Sequence, residues 1–222
     1  MKTALIVGAT GAVGRHCLSL LLEDSDYDQI TVISRKPLSL KNQKLRSVKV
    51  DFEQLDSVED EAFKVNDVYC CLGTTMSKAG SKEAFRRVDY EYPIKIAQLS
   101  KQQGASRYFL ISAIGADANS KIFYNRTKGE LESSLKDLNF ESYIVFRPSL
   151  LIGEREGFRL SEFMAGLLLK LIGVFLLGPL SKYRSVRTET VAKAMIEFGK
   201  KGLSGTHVIE SDQIRSVEKK TH

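Results

Sequence analysis

An apolar stretch at residues 3–7 runs straight into three glycines and then into a helical pattern at residues 13–22, in the segment LIVGATGAVGRHCLSLLL. A strand–turn–helix junction leaves the first N–H groups of the helix unpaired, and the aligned peptide dipoles favour an anion there. Glycine permits the tight turn and lets a phosphate approach the backbone, which is the work expected of Gly8, Gly11 and Gly14. Thr10 adds a hydroxyl donor, and Ala12 and Val13 sit in the same turn. The spacing is GxxGxxG where GxGxxG is standard, so the position directly after a strand carries the weight. The expected ligand is a dinucleotide pyrophosphate; the alternative is a tight turn that binds nothing.

Further strand candidates follow at residues 30–34, 47–50, 67–72, 107–112 and 142–147. Helical patterns lie between them, over residues 82–103, disturbed at Pro93, and over residues 122–138. Short continuous apolar strands alternating with helices imply a parallel sheet covered on both faces. The expected fold class is α/β, a Rossmann-type doubly wound parallel sheet with a small, mostly helical C-terminal substrate region. The 222 residues suffice for one such domain, with a dinucleotide-binding core at 1–147 and a substrate region or lid at 148–222. From Ser211 the chain is polar and reads as a short helix or a frayed tail.

Composition excludes little. The net charge of +6 suits an anionic ligand, an acidic surface or nucleic acid and selects none. Basic residues lack aromatic interleaving and no nucleic-acid module is legible, so no nucleic-acid partner is expected. Cys17, Cys70 and Cys71 form no CxxC, and His16, His207 and His222 have no ligand spacing. Neither a metal site nor a disulfide framework is expected. Reduced thiols and an N-terminus unlike a signal peptide suggest a cytoplasmic protein. Residues 163–180 are the most hydrophobic part of the chain, interrupted by Lys170, Gly166, Gly173, Gly178 and Pro179. They are short for a membrane span. Three readings stand: a helix and loop closing an apolar substrate pocket, a subunit interface in an oligomer, or a helix lying on a membrane surface.

The second strand ends in Ser34-Arg35-Lys36, where an NAD site would carry an acid for the ribose 2′-OH. No acid occurs between Asp28 and Asp51. A guanidinium grips a 2′-phosphate with paired hydrogen bonds, so Arg35, with Lys36, points to NADP(H). Asp51 and Phe52 follow the third strand, where an adenine ring would lie; an acid that merely opens a loop is the alternative there. Tyr124 and Lys128 stand at i and i+4, one turn apart on one helix face. An ammonium beside a phenol favours the phenolate, so the pair suits proton exchange with a substrate oxygen while hydride moves. Ser112, at the carboxyl end of the fifth strand, is placed to orient a carbonyl.

With these motifs in place the chain resembles the atypical short-chain dehydrogenase/reductases, in the branch typified by Tat-interacting oxidoreductase-like proteins. The resemblance rests on LIVGATGAVGR, SRK, VDFEQLD, CCLGTTMSKAG, RVDYEYP, LISAIGAD, YNRTKGELE and VFRPSLLIG, and spans nearly the whole chain. It implies cofactor contacts from Leu72, Gly73 and Thr74, from Lys128 to the nicotinamide ribose, and from Pro148, Ser149 and Leu150 near the nicotinamide. The implied activity is an NADP(H)-dependent oxidoreductase of a small carbonyl or alcohol. The alternative is a non-catalytic NADPH-binding regulator or assembly factor acting through a protein or membrane partner. A sugar-nucleotide epimerase would use the same proton chemistry, but little chain remains after residue 148 to build its pocket.

Overall fold

The computed structural model describes residues 2–153 and 183–220. Strand β1 (Lys2–Val7), helix α1 (Gly14–Glu23), β2 (Tyr27–Ser34) and β3 (Leu45–Lys49) come first. Two 3-10 turns, Phe52–Ser57 and Asp60–Ala62, lead to β4 (Asp67–Cys70) and two short helices, α2 (Met76–Ala79) and α3 (Lys82–Arg86). Then follow α4 (Tyr92–Gln102), β5 (Arg107–Ile111), α5 (Phe123–Lys136) and β6 (Ser142–Arg147). A two-stranded pair, β7 (Leu151–Ile152) with β8 (Val186–Arg187), precedes α6 (Thr188–Lys200), β9 (Gly205–Glu210) and α7 (Ser211–Ser216).

Seven strands form one parallel sheet in the order β3-β2-β1-β4-β5-β6-β9. Side chains alternate across it. Ala4 and Ile6 join a core with Leu18, Leu21, Val191 and Met195 of α1 and α6, whereas Leu5 and Val7 join one with Ile96, Ala97, Leu131 and Leu135 of α4 and α5. Burial on both faces is why β1 reads as an unbroken apolar run. The chain order reverses at β1 and β4, and the carboxyl ends of these two strands flank the crevice where open α/β sheets bind ligands. This is the doubly wound Rossmann arrangement.

The seventh strand, β9, was not among the strands legible in the sequence. It is an edge strand with β6 as its neighbour, and most of its residues are partly or fully exposed. It therefore lacks the continuous apolar run of the inner strands. The polar stretch from Ser211 is helix α7, closed by a capping box in which Glu210 and Gln213 exchange hydrogen bonds with each other's backbone. The expectations for residues 163–180 lie outside the described residues.

The disturbance expected at Pro93 has a definite form. Proline lacks the N–H that would reach the Asp89 carbonyl, and its ring crowds that carbonyl. The helix opens into a π-type turn over Arg87–Glu91, and the Tyr92 N–H reaches back to the Arg87 carbonyl. Such widened turns often mark functional positions.

At the opposite, amino-terminal edge of the sheet, the first residues of four strands meet. Asp67 is fully buried and accepts hydrogen bonds from the Tyr27 hydroxyl and from Arg107 Nε (2.6 Å) and Nη2, with Lys2 Nζ at 3.3 Å. Arg107 Nη1 donates to the Gly199 carbonyl at 2.6 Å, tying this edge to the end of α6.

Candidate active site

The glycine turn is sterically obligatory. Gly8 has φ +77°, and a Cβ there would sit 2.4 Å from the Cys71 carbonyl oxygen. A Cβ on Gly14 would sit 2.1 Å from the Gly8 carbonyl oxygen, so α1 can begin this close to β1 only with glycine. The Gly11 N–H closes the turn onto the Gly8 carbonyl at 2.9 Å. Helix α1 starts without a side-chain cap and without an acid in its first turn. Its positive end is thus left for an external anion.

Beside this turn lies a cleft of about 1180 Å³. Of the sequence-predicted cofactor contacts, it brings together Gly8, Thr10, Gly11, Ala12, Arg35, Asp51, Phe52, Leu72, Gly73 and Thr74. Val13, Gly14, Lys36, Pro148, Ser149 and Leu150 are not in its lining. Gly14 acts through packing, as above. Ser149 is committed elsewhere: its hydroxyl donates to the Arg184 carbonyl and meets the Ser211 hydroxyl at 2.9 Å. The Pro148 carbonyl accepts from the Ile114 N–H at 3.0 Å. Ser149 therefore ties the end of β6 to the C-terminal part, and Pro148 ties it to the loop after β5.

A cleft of this size, an uncapped helix end and a cradle that any Cβ would fill fit a dinucleotide. The charges agree. Arg15, Arg35 and Lys78 line the cleft together with the acids Asp51 and Glu53. Asp51 Oδ1 takes the Glu53 N–H at 3.0 Å and so starts the 3-10 turn, while Asp51 also lines the cleft. The Phe52 ring packs against Tyr92 at 5.3 Å between centroids, and both line the cleft. Arg15, Lys78 and Tyr92 were missed in the sequence. For Lys78 a signal existed: Thr75 caps α2 by accepting the Lys78 N–H, and Gly80 ends it at φ +78°.

Lys128 lies next to this cleft. A Cβ added to Gly73 would stand 3.9 Å from Lys128 Nζ and 3.5 Å from Asp89 Oδ1. Lys128 Nζ pairs with Asp89 Oδ1 at 2.7 Å, and their side chains are 4% and 1% exposed. The other Asp89 oxygen accepts the Thr74 N–H at 2.8 Å. The π-type turn is what carries Asp89 here. Burial would drive the Lys128 ammonium down, but Asp89 and Tyr124 hold it above its usual range.

Tyr124 departs from the sequence expectation. Its phenol is pushed above the ordinary tyrosine value, first by burial, with Lys128 pulling down and Asp89 pushing up. The lysine whose charge was to favour the phenolate already has a carboxylate partner. Ser112 is likewise engaged: its hydroxyl donates to Glu132, a residue that also receives the fork of Arg147, Nε at 3.1 Å and Nη2 at 2.6 Å. Tyr124, Lys128 and Glu132 follow one another at i, i+4 and i+8 along α5. Glu132 is thus two turns, about 12 Å along the axis, from Tyr124. The structure pairs Lys128, one turn along α5 from Tyr124, with Asp89, and it joins Ser112 to Glu132 and Arg147.

Comparison with known proteins agrees with this geometry. Residues 8–157 match a family described as NAD(P)H-binding. The chain is 38% identical to Protein HTATIP2 of Rattus norvegicus over 168 residues, covering 74% of this chain and 69% of that protein. It is 31% identical to Protein FMP52, mitochondrial, of Coccidioides immitis over 227 residues, covering 97% of this chain and 92% of that protein. Among solved structures, MoeE5 in complex with UDP-glucose and NAD superposes with a TM-score of 0.68 at 16% identity, covering 99% of this chain and 82% of that one. The oxidoreductase ylbE from Lactococcus lactis gives 0.66 at 17% identity, covering 99% and 98%. At these identities the structural likeness speaks to fold. The relatives also overturn the cytoplasmic expectation, since those from Coccidioides immitis, Scheffersomyces stipitis and Debaryomyces hansenii are named mitochondrial. The inference failed because unpaired thiols fit any reducing compartment and do not single out the cytosol.

Proposed function

This chain belongs to the NAD(P)H-binding family, and on that premise we propose that it is an NADP(H)-dependent oxidoreductase of the short-chain dehydrogenase/reductase type, acting on a carbonyl or alcohol. The observation that carries the reading is one continuous site. A glycine cradle and an uncapped helix end lie at one part of the cleft, Arg35 stands at the tip of β2, and the buried Lys128 lies beside Gly73. Gly8, Thr10, Gly11 and Ala12 would hold the pyrophosphate, with Arg15 and Lys78 adding positive charge. Arg35 would meet the 2′-phosphate, in a β2–β3 connection that contains no acid. Asp51, Phe52 and Tyr92 would receive the adenine. Bound there, the dinucleotide supplies or takes up hydride. Tyr124 exchanges the proton with the substrate oxygen, Lys128 fixes the ribose and Tyr124, and Ser112 with Glu132 and Arg147 locks α5 to the sheet.

The second reading is an NADPH-binding regulator that works through a partner. Engagement of the Ser112 hydroxyl by Glu132 favours it, because that proton is no longer available to a substrate carbonyl. Titration of wild type and Arg35→Ala with NADPH and NADH tests both. Tighter NADPH than NADH binding, with the preference lost in the variant, is expected. Binding of neither dinucleotide removes the oxidoreductase reading. Binding without turnover of any carbonyl in a broad panel leaves the regulator.

A further inference from the structure

We propose that Asp89 is a ligand-binding residue of the cleft: with Lys128 it forms a receptor for one ribose hydroxyl of the dinucleotide, reached over Gly73, in which the hydroxyl accepts from the Lys128 ammonium and donates to the Asp89 carboxylate. The inference rests on the dinucleotide reading above and names the residue that works with Lys128 in it.

The geometry centres on Gly73, which lines the cleft. An alanine methyl built there would lie 3.5 Å from Asp89 Oδ1 and 3.9 Å from Lys128 Nζ. Among the described residues, and apart from the chain neighbours of Gly73, no other heavy atom comes within 4 Å of it. The missing side chain thus leaves a space on the cleft wall bounded by both charged atoms. Elsewhere the pair is closed off, with side chains 4% and 1% exposed. Asp89 is held in place by its other oxygen, which accepts the Thr74 N–H at 2.8 Å. Lys128 Nζ and Asp89 Oδ1 meet at 2.7 Å. An ammonium has three donors and a carboxylate oxygen has two acceptor positions, so each atom keeps capacity beyond their mutual bond.

Charge selects the ligand group. A phosphate in this space would be repelled by Asp89, and an ammonium by Lys128. A hydroxyl both accepts and donates, so it satisfies the two ends of the pair at once. In so buried a place, a ligand lacking the hydroxyl leaves those bonds unmade and is penalised for it. Position selects the sugar. The glycine cradle stands at the end of β1, Arg35 follows β2 on one side of it, and Gly73 follows β4 on the other. The Cys71 carbonyl abuts the Cβ position of Gly8, and Gly73 comes two residues later, no more than about 7 Å along an extended chain. A dinucleotide laid across the cradle with its adenosine ribose toward Arg35 would bring its second ribose to Gly73.

The test needs no turnover. Calorimetric titration compares 2′-phospho-ADP with 2′-phospho-ADP-ribose, which differ by the second ribose. Wild type should bind the ribose-bearing ligand at least about tenfold more tightly, the contribution of one hydrogen bond to a charged group. Two variants are measured beside it. Gly73→Ala fills the space with a methyl that makes only ordinary contacts in the free protein, and Asp89→Asn removes the carboxylate. In both, the ratio of the two affinities should fall to about one, while 2′-phospho-ADP binding stays within about twofold of wild type. An unchanged ratio in either folded variant overturns the assignment, and so does equal weakening of both ligands, which marks a general disturbance of the cleft. A wild-type ratio near one overturns it whether or not either variant folds. Binding of neither ligand to wild type removes the dinucleotide reading and the receptor with it, whereas 2′-phospho-ADP binding with a ratio near one removes the receptor alone.

Discussion

Replacing Gly14 by alanine sets two effects against each other. Gly14 is the first residue of α1, and alanine favours a helix over glycine by up to about 1 kcal/mol. The added Cβ, however, would lie 2.1 Å from the Gly8 carbonyl oxygen, 2.8 Å from the Gly8 carbonyl carbon and 3.0 Å from Ala9 Cα. All three are backbone atoms, so no rotamer change relieves them. The start of α1 must move off β1, and overpacking of this kind costs roughly 1–3 kcal/mol, occasionally more. With immobile neighbours we place the clash at or above the top of that range, for a net loss of about 2 kcal/mol. In a chain of this length that lowers Tm by about 4–8 °C. Thermal unfolding by circular dichroism measures it, and dinucleotide titration should show at least tenfold weaker binding as the anion cradle opens. Gly202→Ala is the comparison. That position has φ +63° with open space around its Cβ, so the cost is left-handed strain alone, about 1–2 kcal/mol, and dinucleotide affinity should not change. A Tm for Gly14→Ala equal to or above wild type, as helix propensity alone requires, refutes the steric reasoning.

Arg107→Ala should leave the fully buried Asp67 with Lys2 as its remaining cationic partner and destabilise by about 3 kcal/mol, at the low end for breaking a buried pair. In urea unfolding, Arg107→Met combined with Asp67→Asn should lose less than the sum of the two single changes; strict additivity would show that the two residues do not act as a unit. Glu218 accepts hydrogen bonds from Thr190 and from Arg187 (2.9 and 3.0 Å), which hold its carboxyl below the usual glutamate value. A carboxylate whose folded value is depressed stabilises fully above its unfolded value, about 4.3, and loses that stabilisation as pH falls through the folded one. Because Glu218 is about a third exposed, the effect should stay under about 1 kcal/mol after solvent screening. Glu218→Gln should therefore melt slightly below wild type at pH 7 and converge with it in acid; a gap independent of pH would count against this linkage.

The sheet and the phosphate turn were legible because each left a direct mark on the sequence. Inner strands buried on both faces must be apolar throughout, as residues 4–7 are, and a turn closed onto neighbouring backbone tolerates only glycine at Gly8 and Gly14. The edge strand β9 left no such mark, since one neighbour and one covered face suit a mixed sequence such as Gly205–Glu210. The proton-handling residues were legible as types and spacing but not as partners. Tyr124 and Lys128 stood out one turn apart on α5, yet the ion-pair partner of Lys128, Asp89, lies on another element. Its position could have been anticipated from Pro93, four residues on, which forces the helix to widen at the Asp89 carbonyl. Ser112 looked available because a strand end says where a side chain starts and nothing about what it reaches. Its partner Glu132 completes the stripe begun by Tyr124 and Lys128 and was visible at that spacing, but only the packing of α5 on β5 says that the two meet.

The β7–β8 pair gives the fold a hinge-free port for change. Leu151 lies opposite Val186 and Ile152 opposite Arg187, and the Val186 N–H bonds the Leu150 carbonyl at 3.0 Å. The chain thus leaves the scaffold and re-enters it at one clasped point, with β6 before it and α6 and β9 after it already packed into the sheet. The two ends of residues 153–185 are thus held side by side by the scaffold, at Leu151–Ile152 and Val186–Arg187. A graft that exchanges residues 153–185 therefore has anchor points on both sides that belong to the scaffold.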